Sequence, residues 1–127
     1  MQKIENYLHA LSQLEEAAKT YSANQSDSLY RDGLIQRFEF TVELAWKSLK
    51  AYIEDQGAVV LSISSPRAVL KEAYAAGYIH DEAGWNDLIT SRNLTSHVYD
   101  EKTAIDVATK IVQAYLPTLR TLAELYQ

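Results

Sequence analysis

Residues 28–57 read SLYRDGLIQRFEFTVELAWKSLKAYIEDQG, the longest periodic apolar segment of the chain. Leu34, Phe38, Val42, Ala45, Trp46, Leu49 and Ile53 recur every three or four positions. At 3.6 residues per turn they make one apolar stripe, so the spacing predicts a long helix from about Ser28 to Gln56. Gly57 follows the last apolar position, where a left-handed residue usually ends a helix. Gly33 near the start costs about 1 kcal/mol of helix stability relative to Ala.

The same periodicity continues on both sides. Ile4, Tyr7, Leu8, Leu11, Leu14, Ala18 and Tyr21 predict a first helix over about 2–21, and the polar run 22–28 reads as a loop. Beyond Gly57, the β-prone Val59, Val60, Leu61 and Ile63 lack a partner strand, so 58–64 reads as an extended connector. Ser65-Pro66 is a helix start, with serine as N-cap and proline at the first helical position. The short helix that follows faces Val69, Leu70 and Ala73 inward and stops at Gly77. Asp81 can cap a fourth helix carrying Trp85, Leu88 and Ile89 and ending near Ser96. Asp100 or Thr103 caps a fifth, with Thr103 and Asp106 at capping-box spacing. Ile105, Ala108, Ile111, Val112, Tyr115, Leu119 and Leu122 form its inward stripe. Pro117 removes a bond to the carbonyl of Gln113, which predicts a kink. The expected fold class is all-α: one domain over 1–127, an antiparallel four-helix up-and-down bundle with an additional short helix.

Bulk properties narrow the function. The chain has 127 residues, 47% hydrophobic, enough for one core without staples. Without cysteine it has no disulfide or thiolate chemistry, and His9, His80 and His97 are too scattered to suggest a metal site. No metal or cofactor is therefore expected. The net charge of −5 lacks the excess of cations that a general nucleic-acid binder carries, so any RNA contact must be local or use a dimer cleft. No apolar run approaches the ~20 residues that span a bilayer. The early acidic and polar residues do not resemble a signal peptide, which makes the cytoplasm the expected location.

The densest polar run is Ser91-Arg92-Asn93-Leu94-Thr95-Ser96-His97-Val98-Tyr99-Asp100, at the junction of the fourth and fifth helices. Arg92 and His97 are five positions apart, about 140° on an ideal helix, so they converge only if the helix unwinds near His97. Together they suit RNA cleavage without a metal. An imidazole can remove the 2′-hydroxyl proton or protonate the leaving oxygen. A guanidinium fork can clamp the phosphoryl oxygens, and Asn93 and Ser96 can position the phosphate. One histidine cannot serve as acid and base together, so a homodimer supplying a second set is expected. The alternative is structural, with Arg92 and His97 bonding the last free carbonyls of a helix.

Other residues leave alternatives open. His9 and His80 read as surface or capping residues. In the cluster of Arg31-Asp32 with Gln36, Arg37 and Glu39, the residues Arg31 and Arg37, with Lys47, can add cations near a nucleotide, or the cluster can be a solvated face or ion pairs. Phe38, Phe40 and Trp46 suit a core or a dimer interface. Nine tyrosines are many for this length, and some of them suit partner surfaces.

Three ordered blocks carry a resemblance: 31–47, then Ser65-Pro66-Arg67 with Glu72-Ala73 and Ala76-Gly77, then Arg92 to Tyr99. They resemble the nucleotidyltransferase substrate-binding protein family of the HEPN group. The resemblance implies a dimerising antiparallel helical bundle and a minimal nucleotidyltransferase encoded nearby as partner. It also implies two functions. One is a metal-independent endoribonuclease toxin restrained by its transferase, with Arg92, Asn93 and His97 matching the Arg-polar-x3-His motif. The other is a non-catalytic subunit that binds substrate or nucleotide for the transferase. In similar toxin pairs the tyrosine two positions after the histidine can be nucleotidylated, and Tyr99 occupies that place.

Overall fold

The computed structural model describes residues 1–57, 62, 64–97 and 99–127. The apolar stripes become helices α1 (Gln2–Ala23), α2 (Ser28–Gly57), α3 (Pro66–Ala75), α4 (Glu82–Thr95), α5 (Glu101–Lys110) and α6 (Leu116–Tyr126). A π-helical turn, Ile111–Tyr115, joins the last two into one continuous rod. No strand occurs among the described residues. The predicted all-α architecture holds: four long helical pieces plus the short α3. Val59, Val60, Leu61 and Ile63, read above as part of an extended connector, lie outside the described residues, as does Val98.

Side-chain bonds reveal the topology. Arg37 and Thr41 of α2 donate to the carbonyls of Gln13 and Ala10 of α1, so these two helices are antiparallel. Glu43 and Glu39 of α2 meet Arg92 and Thr95 of α4, again antiparallel. Arg31, Phe38 and Ser48 of α2 meet Glu101, Tyr115 and Tyr126 in that order, so the last rod runs parallel to α2. That is an up-down-up-down bundle with α2 packed against α1, α3, α4 and α5. Its core joins Tyr7, Leu14, Leu34, Phe38, Leu49, Trp85, Leu88, Ile111, Tyr115 and Leu119, all essentially excluded from solvent. Burying such side chains is worth roughly 1.5–3 kcal/mol each before entropy is counted.

The helix ends follow local chemistry. Ser65 accepts from the N–H of Ala68 and Asp81 from that of Gly84. Of the two caps proposed for α5, Asp100 is used: its carboxylate accepts from the N–H of Thr103 at 2.8 Å. Gly77 has φ +80, the N–H of Tyr78 bonds the carbonyl of Ala73, and that of Gly77 bonds Tyr74, a complete Schellman close of α3.

Two expectations are corrected and a third is made specific. Gly57 is the last helical residue of α2 rather than a left-handed residue beyond it. Ile105 is 43% exposed, because the inward stripe of α5 is Ala104, Val107 and Ala108. The disturbance before Pro117 takes the form of a π turn, in which the N–H of Leu116 reaches the carbonyl of Ile111. No helix among the described residues is long and apolar enough to cross a membrane.

Candidate functional site

α4 ends at Thr95, Ser96 forms a turn and His97 a bend. The unwinding that Arg92 and His97 require therefore occurs between them. Ser96 keeps helical dihedrals (φ −76, ψ −8), so the chain leaves the helix gradually.

Two faces of this last turn are fastened to the bundle. Arg92 donates through Nη2 to Glu43 Oε2 at 3.3 Å, and Thr95 donates to Glu39 Oε2 at 2.9 Å. The carboxylates are four apart on α2 and their partners three apart on α4, so antiparallel packing brings them into two rungs. On another side, buried Ser91 shares a hydrogen bond with the Tyr115 hydroxyl, which also donates to Asp87 Oδ2 at 2.8 Å. Tyr115 is the last residue of the π turn and stacks on Phe38. Burial pushes its phenol up to about 12; Asp87 adds to this and the Ser91 bond opposes it.

Asn93, Leu94, Ser96 and His97 are left exposed. Asn93 accepts from Arg92 Nη1 at 3.3 Å, and its carbonyl accepts from the Ser96 hydroxyl at 2.9 Å. Arg92, Asn93 and Ser96 are thus one bonded unit. Among the described residues no hydrogen bond joins His97 to it.

Glu43 is the hub that the sequence reading missed. It accepts from Trp46 Nε1 at 3.0 Å, Lys47 Nζ at 3.1 Å and Arg92. Burial works to raise its pKa, but the Trp46 and Lys47 bonds and the charges of Lys47 and Arg92 outweigh it, leaving the carboxyl below its ordinary value. The Glu39/Glu43 spacing was visible in the sequence; which helix it faced was not.

A cleft of about 290 Å³ opens beside Arg92, lined by Gln36, Glu39, Phe40, Glu43 and Arg92. Phe40 is 62% exposed and also borders a groove of about 340 Å³ between α1 and α2 that includes His9 and Arg37. Phe38 and Trp46 are core. The second polar cluster is mostly internal bonding: Arg31 reaches Glu101, Arg37 the carbonyl of Gln13, and Lys47 Glu43. Tyr99 is half-buried; burial raises its phenol pKa, the charges of Asp32 and Glu39 add to this, and Arg31 opposes it. His9 and His80 are exposed.

Comparison with known proteins adds three findings. A family model described as "Nucleotidyltransferase substrate binding protein like" matches residues 2–127. A curated protein of Haemophilus influenzae, "Probable ribonuclease HepT", is 32% identical over 97 residues. That alignment covers 75% of this chain and 66% of the relative, so the chain spans just under two thirds of its length. A crystal structure of a Thermus thermophilus protein superposes with a TM-score of 0.79 at 28% identity, covering 95% of this chain and 99% of the other.

Proposed function

The chain belongs to the nucleotidyltransferase substrate binding protein-like family, and from that premise we propose that it is an endoribonuclease of the HEPN type, a toxin held in check by a minimal nucleotidyltransferase. The observation that carries this reading is the end of α4. There a braced arginine and asparagine stand a few residues before an exposed histidine, at a point where the helix unwinds.

The step needs no metal. The ribose 2′-oxygen attacks the adjacent phosphorus while the P–O5′ bond breaks, giving a 2′,3′-cyclic phosphate and a 5′-hydroxyl. One imidazole takes the 2′-hydroxyl proton, and a second donor delivers a proton to the departing 5′-oxygen. His97 fills one of these roles and His97 of a second copy the other, in a homodimer whose two-fold axis brings the ends of α4 together. Exposed Phe40 and Leu94, 62% and 54% accessible, flank the site and suit burial in that dimer. Arg92 carries five N–H donors; Glu43 and Asn93 occupy two and fix the plane of the guanidinium. The rest are free to hold the phosphoryl oxygens as charge builds. Asn93 and Ser96 position the phosphate.

Tyr99 is the residue on which the transferase would act. A nucleotidyl group two residues from His97 adds negative charge and repels the RNA phosphate, as phosphorylation does. Intact-mass measurement after incubation with the transferase and nucleotide should show the added mass on wild type and not on Tyr99→Phe.

The matched family's description favours a second reading, a non-catalytic subunit presenting substrate to the transferase. Cleavage of total RNA by wild type and His97→Ala, with chelator present, separates the two. The ribonuclease reading expects cleavage by wild type alone. Intact RNA with both proteins, alongside a stable complex with the transferase, would leave the binding subunit.

A further inference from the structure

Resting on the ribonuclease reading, we infer that Arg67 is a second RNA-phosphate contact, gripping the strand beside the phosphate that is cut. Arg67 lies in the first turn of α3 and reaches across to α4. Its Nη1 donates to Asn86 Oδ1 and its Nη2 to Thr90 Oγ1, both at 3.0 Å. Asn86 and Thr90 continue into Asn93 at spacings of four and three residues, one face of α4, and His97 follows just past the end of that helix. From Thr90 to Asn93 the axial distance is roughly 4.5 Å along the helix. A strand lying on that face passes from the reaction centre directly to Arg67.

Charge argues for the same assignment. A chain of net charge −5 must hold RNA with few cations, and Arg92 shares Glu43 with Lys47. Arg67 is anchored by an amide and a hydroxyl instead, and among the described residues no carboxylate pairs with it. Its charge is therefore not tied up in an ion pair, and Glu82 is the one carboxylate among the described residues lining its cleft. Two anchoring bonds leave further donors of its fork for a phosphate. Lys71, one turn along α3 and exposed, adds a second cation at the edge of a cleft of about 290 Å³ that Arg67 also lines. A purely structural arginine pinning α3 to α4 would need neither feature.

The test measures binding of a fluorescent single-stranded oligoribonucleotide over a salt series, in a His97→Ala background so that the RNA stays intact. Arg67→Gln should weaken binding roughly three- to tenfold near physiological salt. It should also reduce the slope of log K against log salt by about 0.7, the share of one single-strand phosphate. Arg67→Lys should restore most of the slope. An unchanged slope in Arg67→Gln, with melting temperature alone lowered, means a structural pin and overturns this inference while leaving the ribonuclease reading intact. No RNA binding by the otherwise wild-type chain, together with no cleavage by wild type, overturns both.

Discussion

Arg92, in the last turn of α4, is held by the carboxylate of Glu43, whereas Arg67, which reaches α4 from α3, is held by the amide of Asn86 and the hydroxyl of Thr90. Both guanidiniums are oriented by two side-chain bonds. The difference lies in what orientation costs each in charge. A carboxylate fixes Arg92 strongly but offsets part of its attraction for an anion, and Glu43 is itself shared with Lys47 and Trp46. Neutral acceptors fix Arg67 less strongly and leave its charge whole. One arrangement suits stabilising charge that develops during a reaction; the other suits holding an anion already present.

The largest expected effect strikes one side of this comparison. Arg92→Ala should lower RNA cleavage by about a hundred- to a thousand-fold, the usual loss of a donor to developing phosphoryl or oxyanion charge. Rates on saturating RNA should carry most of that loss. If cleavage falls no further than in Arg67→Gln, the division of labour between the two arginines is wrong.

Tyr115 tests what they have in common. Its bonds to Ser91 and Asp87 brace α4 between the attachment points of Arg67 and Arg92. Tyr115→Phe should destabilise the fold by about 1–2 kcal/mol in denaturant titration, since it leaves buried Ser91 with an unmet partner. Because the folded phenol is raised from 10 to about 12, its contribution is complete below pH 10 and is lost as pH rises toward 12, where the unfolded chain ionises first. The phenylalanine variant should lose that part of the alkaline fall in stability.

Acid separates the arginines again. The folded Glu43 carboxyl lies below its ordinary value of 4.5, so its contribution is present above that pH and disappears as pH falls through the folded value. Glu43→Gln should cost about 0.5–1 kcal/mol near neutral pH, modest because the pair is partly exposed, and should flatten the acid limb of the stability profile. Arg67→Gln should leave that limb unchanged, because its bonding partners do not titrate. An acid limb identical in Glu43→Gln and wild type would show that the ion pair does not brace the end of α4.

The smallest effect is a control away from both arginines. Gly77→Ala should cost about 1 kcal/mol in a thermal melt, because φ +80 strains a residue with a Cβ, and should leave RNA binding untouched.

Much of this was legible in residue spacing. The stripe through Leu34, Phe38, Val42 and Leu49 specifies α2, and Ser65 and Asp81, with Asp100 or Thr103, announce their helices because a cap bonds a backbone N–H only a few residues ahead. The Ile105 expectation failed because an amphipathic stripe has an edge, and which edge residue turns outward depends on the neighbour packed there. The π turn escaped because proline marks a lost bond but not how the chain compensates.

Residue spacing thus specifies an all-helical bundle, most of its caps, and a short polar run in which Arg92, Asn93 and His97 match a known motif. Those features depend on interactions within a few residues, which spacing encodes directly. Helix packing settles that Arg92 is held by Glu43 and that Arg67 stands on the α4 face leading to Asn93. Those facts join residues 19 to 49 positions apart, or depend on which helix packs on which face, and no local periodicity reports them.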